Sequence, residues 1–278
     1  MTASVSLTVL GAINMDLTAH VRRAPVRGET VADGVLVRQP GGKGANQAAA
    51  AARLGATVRL LGAVGDDGDG RSMTASLSEA GIDVSGIQIV SEASGTALII
   101  VDETGENSIV VCAGANDRID IADIAVDPHT ALLAQLEVPA SVVEDVAART
   151  DGFFALNASP ADALTAALRE RVDLFIVNET EYAALPELRD ARLTAVTLGS
   201  KGAVLYQDGH EIARAFAPAE SVVNTVGAGD SFAAALTIGL IRGDAPGDAL
   251  QRACAVGAAA VGDPRSQPEL RPLSEYPA

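Results

Sequence analysis

The stretch TVGAGDSFAA, residues 225–234, joins a glycine-rich turn to a helix of small residues. Gly227 and Gly229 let successive backbone N–H groups point into one concavity, where the positive end of the following helix favours negative charge. Asp230 stands in the first turn of this helix, so a hydroxyl group that enters the concavity can lose its proton there. The stretch therefore predicts a site that holds a phosphate group beside a base. Taken alone, it also fits a helix start capped by Asp230.

A polar pair follows the first apolar run of the chain. Residues 7–10 are apolar, and GAINMD follows at 11–16. Asn14 and Asp16 are two residues apart, so their side chains face the same way on an extended backbone. An amide and a carboxylate on one face can donate to and accept from neighbouring hydroxyl groups. The pair is a candidate sugar-binding element, and either residue alone also fits a turn at a strand end.

A glycine-rich loop precedes the first predicted helix. The sequence PGGKGANQAAAAARLGA occupies residues 40–56, where Gly42 and Gly44 allow a ligand to approach the main chain. Lys43 and Asn46 add hydrogen-bond donors, so the cluster suits a polyol. No Ser or Thr follows the lysine, so this is not a Walker A phosphate-binding loop. On its own, the stretch also fits a plain loop.

Taken together, these motifs resemble those of the ribokinase-like sugar kinases, from about residue 7 to about residue 268. They occur in the order of that family: GAINMD (11–16), GETV (28–31), GGKGANQA (41–48), GDDGDG (65–70), GENSIVVCAGAN (105–116), QLE (135–137), NETE (178–181), TLGSKGA (197–203) and GAGD (227–230). The resemblance implies an α/β fold, a three-layer sandwich with a mostly parallel central sheet and a small β lid. It also implies one kinase domain over residues 1–278.

The activity implied by the resemblance is transfer of the γ-phosphoryl group of ATP, with Mg²⁺, to a primary hydroxyl of a pentose, foremost O5 of D-ribose. Asp230 would accept the hydroxyl proton, and the backbone amides of Gly227, Ala228 and Gly229 would stabilise charge on the transferring group. Two alternatives stay open. One is a kinase for another sugar or a nucleoside, and the other is a non-catalytic sugar-binding or regulatory descendant.

The resemblance also assigns the binding residues. The sugar would be held by Asn14, Asp16, Gly42, Lys43, Gly44, Asn46 and Glu137. The nucleotide side would be lined by Asn178, Thr197, Leu198, Gly199, Ser200, Lys201, Gly202 and Gly229. Glu181, with Asn178, would order Mg²⁺ through water. Structural interpretations remain for each: Asn178 fits an N-cap for a helix that begins at Glu179, Glu137 and Glu181 fit solvated charges, and TLGSKG fits a hairpin turn.

Two features depart from the family pattern. Asn224 stands where the family has an aspartate that helps bind an activating potassium ion, in a monovalent-cation site that would include Val226. A neutral amide is a weaker cation ligand than a carboxylate, so we expect weak or absent potassium activation, with Arg265 as a candidate fixed positive charge instead. In addition, only residues 182–192 separate the NETE motif from the next predicted strand, which is close to the minimum for a crossover.

Composition restricts the partners. With 36 acidic and 20 basic residues, the formal charge of −16 opposes binding to nucleic acid and to anionic membranes, and anionic ATP requires a local positive field. We find no signal peptide and no uncharged apolar run near the roughly 20 residues needed to span a bilayer, so we expect a cytoplasmic protein. Cys112 and Cys254 lie in apolar stretches and are expected to be buried, reduced thiols.

The order of apolar runs and alanine-rich stretches predicts a parallel sheet covered by helices on both faces. Strands are predicted at 5–10, 57–61, 96–101, 108–112, 130–136, 153–156, 172–177, 194–198 and 202–206. Helices are predicted at 45–54, 70–80, 140–149, 160–169, 230–242 and 246–261. Segments 17–38 and 95–111 lack helices and predict a hairpin-like β lid. Such a lid leaves one apolar face uncovered, which favours a homodimer through the lid.

Overall fold

The computed structural model describes residues 5–104, 106–122, 124–162 and 164–278. Two predicted features touch residues outside these ranges. Gly105 belongs to the motif 105–116 and to the lid segment 95–111, and Ala163 belongs to the predicted helix 160–169; both lie outside the described residues.

The described strands form two sheets. The strands are β1 (Ser6–Leu10), β2 (Asn14–His20), β3 (Val35–Gly41), β4 (Thr57–Gly65), β5 (Asp83–Val90), β6 (Gly95–Val101), β7 (Asn107–Cys112), β8 (Ala131–Gln135), β9 (Phe154–Asn157), β10 (Leu174–Asn178), β11 (Thr194–Thr197), β12 (Ala203–Gln207) and β13 (His210–Ala215). The central sheet has nine strands in the order β13-β12-β11-β10-β9-β8-β1-β4-β5, and all its pairs are parallel except β11–β12 and β12–β13. The mostly parallel sheet predicted from the alternation of elements is confirmed.

Helices cover both faces of this sheet, as predicted for parallel strands joined by crossovers. They are α1 (Lys43–Arg53), α2 (Gly68–Glu79), α3 (Ala140–Ala147), α4 (Ala166–Arg171), α5 (Glu179–Ala184), α6 (Ala228–Ile241) and α7 (Pro246–Val261). α1 contacts α6, and α6 contacts α7. The facing side chains are mostly alanines, which lets these helix backbones approach closely and brings the polar start of α1 next to the start of α6.

The two edge strands of the central sheet, β5 and β13, were not predicted. Their sequences, DVSGIQIV and HEIARA, carry charged or glycine residues and no apolar run. An edge strand has a neighbour on one side only and exposes much of its surface, so its sequence lacks the hydrophobic signal of a central strand.

Two local predictions were wrong. α4 begins only at Ala166, because Thr165 caps it by accepting a hydrogen bond from the Leu168 N–H, so the predicted start at residue 160 was too early. Cys112 is exposed at the end of β7, whereas Cys254 is buried as predicted. The apolar run that contains Cys112 belongs to a small sheet with two accessible faces. The sequence alone cannot distinguish an apolar strand of such a sheet from a strand of the core.

The small sheet is the lid, with strand order β3-β2-β6-β7. β2 pairs antiparallel with β3 and parallel with β6, and β6 pairs antiparallel with β7. Side chains alternate between its faces, so Asp16, Ala97 and Val111 lie on one face while Leu98 and Val110 lie on the other. Its four strands overlap the segments 17–38 and 95–111, but the first strand begins earlier, at Asn14, and β3 continues to Gly41.

Within the part of the chain that the structure describes, no helix has the length and apolar character needed to cross a membrane.

Candidate active site

A pocket of about 300 Å³ lies between the lid and the carboxyl ends of the central parallel strands. This is the edge of a parallel sheet where ligands bind, because loops and helix starts converge there. The lid covers the pocket with Ala97, Ile99, Ile109 and Val111. Its polar residues are Asn14, Asp16, Lys43, Asn46, Glu137, Asn157, Ser159, Asn178, Glu181, Thr197, Thr225 and Asp230, joined by the backbone of Gly42, Gly227 and Gly229.

Gly42 starts α1 at a point where no side chain fits. It has φ +85°, and a Cβ there would lie 2.7 Å from the Ala12 carbonyl oxygen and 2.8 Å from the Asn14 nitrogen. The missing side chain lets the start of α1 pack against the turn between β1 and β2. The Lys43 N–H then donates to Glu137 Oε2 at 2.8 Å, which ties the helix start to the end of β8.

Gly227 has the same role at the start of α6. It takes the left-handed conformation with φ +81°, and a Cβ there would lie 2.0 Å from the Ser266 carbonyl oxygen. Gly229 follows within the helix, where an added Cβ would meet no atom within 4 Å, so its backbone faces open space in the pocket. The predicted turn, helix start and first-turn aspartate are therefore all present, with Ala228 as the first residue of the helix.

Asp230 is held by two amides from α1. Asn46 Nδ2 donates to Asp230 Oδ2 at 3.1 Å, and Gln47 Nε2 donates to Oδ1 at 3.1 Å. Asp230 is buried, yet its carboxylate lines the pocket. Residues 43, 46 and 47 share one helix face, so α1 presents both amides and the Lys43 ammonium to this carboxylate.

The pocket contains more negative than positive charge. Burial, and to a smaller extent the charges of Glu137 and Asp230, together raise the pKa of Asp16 to about 7. Burial also raises the pKa values of Glu137 and Asp230, while Lys43 lowers both in part. For Lys43, burial lowers the pKa, but the neighbouring carboxylates outweigh burial and leave it raised. Lys43 therefore stays an ammonium and supplies the local positive field that an anionic substrate requires.

Asn14 is oriented by a buried partner. Asn116 Nδ2 donates to Asn14 Oδ1 at 2.8 Å, and Asn116 Oδ1 accepts from the Ile13 N–H at 2.9 Å. Asn14 and Asp16 both line the pocket from β2, as their spacing predicted. Gly44 is buried beneath the pocket rather than lining it, because a Cβ there would lie 2.5 Å from the Gly11 backbone.

Asn178 and Glu181 form a capping box at the start of α5. Asn178 Oδ1 accepts from the Glu181 N–H, and Glu181 Oε2 accepts from the Asn178 N–H, both at 2.8 Å. The N-cap interpretation of Asn178 is therefore correct. Both side chains also line the pocket, so the structural role leaves a ligand role open.

The structure brings only part of the predicted nucleotide segment into the pocket. Thr197 lines it from the end of β11. Leu198, Gly199, Ser200, Lys201 and Gly202 lie outside the pocket, in the turn that joins antiparallel β11 and β12. The hairpin interpretation of their motif is therefore confirmed, and their assignment to the nucleotide side stays a prediction.

Asn224 has both ends of its side chain engaged. Its Oδ1 accepts from the Val226 N–H at 3.0 Å, and its Nδ2 donates to the Pro264 carbonyl at 3.0 Å. Val226 lines the pocket, but Asn224 does not. Arg265 forms ion pairs with Asp263 and Glu269 and does not line the pocket, so two carboxylates already balance its charge; its role as a fixed positive charge in place of potassium stays a prediction.

The sequence did not single out four polar residues that the structure assigns to the site or its support: Gln47, Asn116, Asn157 and Ser159. Gln47 and Asn116 fall inside quoted motifs, so the signal was present in the sequence. Asn157 is the last residue of β9 and Ser159 follows it by two residues, as Glu137 follows β8 by two; position at a strand end is the signal that could have found them.

The nine-stranded sheet, the β lid and the buried carboxylate at a helix start define a ribokinase-fold protein. Residues 5–271 match the pfkB family carbohydrate kinases, and the chain belongs to this family. Ribokinase from Haemophilus influenzae is 32% identical, with 98% of each chain covered, and ribokinase from Bacillus subtilis is 35% identical, with 86% of each covered. The structure of Arabidopsis thaliana ribokinase complexed with ribose and ATP has a TM-score of 0.84 at 26% identity, covering 98% of this chain and 97% of that one.

Proposed function

We propose that the chain is an ATP-dependent carbohydrate kinase that phosphorylates D-ribose at O5 to give ribose 5-phosphate. The observation that carries this proposal is the buried Asp230, which lies at a glycine-led helix start inside a lidded pocket with Asn14, Asp16, Lys43 and Asn46. Full-length similarity to several ribokinases supports the same substrate. One kinase domain over residues 1–278 and a cytoplasmic location, where Cys112 and Cys254 stay reduced, belong to the same proposal.

In the proposed mechanism, Asp230 accepts the proton of the sugar hydroxyl while the hydroxyl oxygen bonds to the γ-phosphorus of ATP. The bond from that phosphorus to the bridging oxygen breaks, and ADP leaves. In a loose transition state the proton leaves late, so an aspartate can serve as the base. The N–H groups at Gly227, Ala228 and Gly229 stabilise charge on the transferring group, and Lys43 adds a positive charge. Lid closure excludes water from the pocket.

Mg²⁺ would be held with little direct help from protein ligands. The described residues contain no group of three His, Cys, Asp or Glu side chains that could bind a metal ion. A site with few protein ligands suits Mg²⁺, because this ion keeps several of its waters and is usually bound by one or two carboxylates together with the phosphates of the substrate. Glu181 and Asn178 would order these waters, and the bound ion would neutralise charge on the phosphates.

The test is ADP release with magnesium-ATP against ribose, deoxyribose, fructose and adenosine. We expect turnover that is selective for ribose. Selective turnover of adenosine or fructose would instead identify the chain as a kinase for a nucleoside or for another sugar. Sugar binding by calorimetry without turnover of any acceptor would favour a non-catalytic sugar-binding protein.

The same assay, run with and without potassium, tests the cation site. We expect kcat to change less than about twofold, because Asn224 presents a neutral oxygen that already accepts a hydrogen bond from Val226. The Nδ2 of Asn224 also joins its loop directly to Pro264. A strong dependence of kcat on potassium, absent with sodium, would contradict this expectation.

We also propose a homodimer that buries the outward face of the lid. On this face Leu36 is 61% exposed, Leu98 45% and Val110 60%, and Leu98 lies directly opposite Val110. A contiguous apolar surface on a small sheet favours association, because water is removed from it on contact.

Replacing Leu98 by Asp should convert the dimer to a monomer, because a charge would be buried at the centre of the contact. Mass measured by light scattering after size exclusion checks this. Ile89→Asp is the matched control, since Ile89 is 70% exposed on β5 of the other sheet and should leave the mass unchanged. A monomeric wild-type protein at micromolar concentration would refute the dimer.

A further inference from the structure

Gln47 is a fully buried polar residue in the middle of an alanine-rich helix face. Its side chain has no exposed surface and does not line the pocket. A buried amide must form hydrogen bonds to offset the loss of water, so its contacts indicate what the fold uses it for.

The Gln47 amide joins Asp230 to the central sheet. Its Nε2 donates to Asp230 Oδ1 and to Asn157 Oδ1, both at 3.1 Å. Its Oε1 accepts from Gln135 Nε2 at 3.5 Å, and Gln135 in turn donates to the Leu10 carbonyl at 3.0 Å. Asn157 Nδ2 donates to the Ile176 carbonyl at 3.0 Å. The network therefore connects α6 through α1 to the ends of β1, β8 and β9 and to the middle of β10.

This arrangement fixes the carboxylate on both sides. Gln47, which does not line the pocket, donates to Oδ1, and Asn46, which does line it, donates to Oδ2. Each oxygen retains a free acceptor direction for an incoming hydroxyl. A base held in one orientation avoids the loss of rate that follows even small misplacement of a reacting group.

We propose that Gln47 is a positioning residue that fixes the orientation of the Asp230 carboxylate for proton transfer. This inference rests on the proposed function. Gln47 does not line the pocket and reaches it through two residues that do, Asp230 and Asn157; of these two, only Asp230 can accept a proton. Because it donates to the carboxylate, it also favours the ionised form that accepts a proton, against the effect of burial.

Charged groups from several elements face the Asp230 carboxylate and contribute to its electrostatic environment. They are Lys43 of α1, Asp16 of β2, Glu137 after β8 and Glu181 of α5. None of them is changed by substitution of Gln47, so a shift between wild type and variant reports the lost amide.

The first variant is Gln47→Met, which keeps the size of the side chain and removes the donors. We expect kcat to fall roughly tenfold to a hundredfold, because the base loses one of its two fixed contacts. The KM of ribose should change less than about threefold, and the acid limb of the kcat profile should move about one unit to higher pH. The matched control is Gln135→Met, which removes a buried amide from the same network without a hydrogen bond to Asp230 and should not move the acid limb.

A second variant keeps the proposal testable if Gln47→Met fails to fold. Gln47→Glu keeps the shape and, when ionised, places a like charge against Asp230, so its acid limb should also move to higher pH. An unmoved acid limb and unchanged kcat in either folded variant, or an equal shift in Gln135→Met, overturns the proposal.

A third readout separates this proposal from the proposed function. The stability deficit of Gln47→Met, measured by thermal unfolding, should widen as pH rises, because the lost hydrogen bonds matter most when Asp230 is ionised. This measurement needs no substrate. A widening deficit in a chain that turns over no acceptor leaves the link between Gln47 and Asp230 intact and rejects the kinase activity, whereas a deficit independent of pH overturns the link.

Discussion

Asp230→Asn is expected to lower kcat for ribose by roughly 100- to 10,000-fold, the usual contribution of a general base. The amide cannot accept the hydroxyl proton, although it fills the same volume at the start of α6. The KM values of sugar and ATP should change far less, because Asn14, Asp16 and the residues around Thr197 are untouched. Steady-state ADP release with magnesium-ATP measures both effects.

The variant should fold as well as the wild type. Burial raises the pKa of Asp230, with Lys43, Asn46 and Gln47 opposing it only in part, so the ionised carboxylate costs stability near neutral pH. The uncharged amide of the variant removes this cost. That amide also finds an acceptor, because Asn46 Oδ1 has no hydrogen-bond partner among the described residues and a flip of the Asn46 side chain would present it.

Asp248→Asn is the matched control. Asp248 also stands in the first turn of a long helix, α7, but it is exposed to solvent. The same chemical change there should leave kcat unaltered. If Asp230→Asn retained more than about a tenth of wild-type kcat while folded, another group would have to serve as the base, and the proposed mechanism would be wrong.

The start of α6 could be predicted because its physics is local. A left-handed glycine, a helix N-terminus and a first-turn carboxylate occur within four residues, so Gly227 and Asp230 can be recognised in the sequence. The same holds for Asn14 and Asp16, whose spacing of two fixes a shared face once the backbone is extended. The order of parallel strands then brings both pairs to one edge of the sheet.

Support residues were missed because their partners are distant in sequence. Gln47 lies 183 residues from Asp230 and 110 from Asn157. Nothing in the run ANQAAAAA shows that one polar residue is buried against a helix near the other end of the chain. The edge strands β5 and β13 were not predicted for a different reason, because their polar, solvent-facing residues interrupt the apolar pattern.

The interpretation of Cys112 failed because it treated an apolar neighbourhood in the sequence as an apolar neighbourhood in space. Its strand, NSIVVC, lies in a sheet whose β7 edge is exposed along its whole length. A lid must keep one face for the ligand and another for water or a partner. Hydrophobic residues in such a strand therefore indicate a binding surface as readily as a core.

Asp16→Asn is expected to weaken ribose binding while making the free protein more stable above pH 7. A hydroxyl that donates to a charged carboxylate contributes about 1.5–3 kcal/mol, so the KM of ribose should rise roughly 10- to 150-fold. Binding of ATP should be unaffected, because Asp16 lies on the lid strand β2 beside Asn14 and Gly42.

The gain in stability follows from the raised pKa. Asp16 has an ordinary value of 3.8 and a folded value of about 7, so folding favours its protonated form. The wild-type protein bears no cost of this kind below pH 3.8; the cost grows as pH rises and is complete above about pH 7. At 1.36 kcal/mol per unit, the full cost is at most about 4 kcal/mol. The Asp16→Asn protein avoids it at every pH.

Thermal unfolding of both proteins from pH 5 to pH 8.5 tests this expectation, with Asp248→Asn as an exposed control that should track the wild type. The stability difference between Asp16→Asn and wild type should widen up to about pH 7 and then level off. In the wild type, the KM of ribose should rise as pH falls below about 7, because protonated Asp16 accepts a hydrogen bond poorly. A variant that binds ribose normally would show that Asp16 does not accept a hydrogen bond from the sugar. A stability difference that does not depend on pH would show that folding does not raise the pKa of Asp16. Loss of ribose affinity together with a gain in stability would mean that the buried Asp16 carboxylate lowers the stability of the fold and is retained because ribose binding requires it.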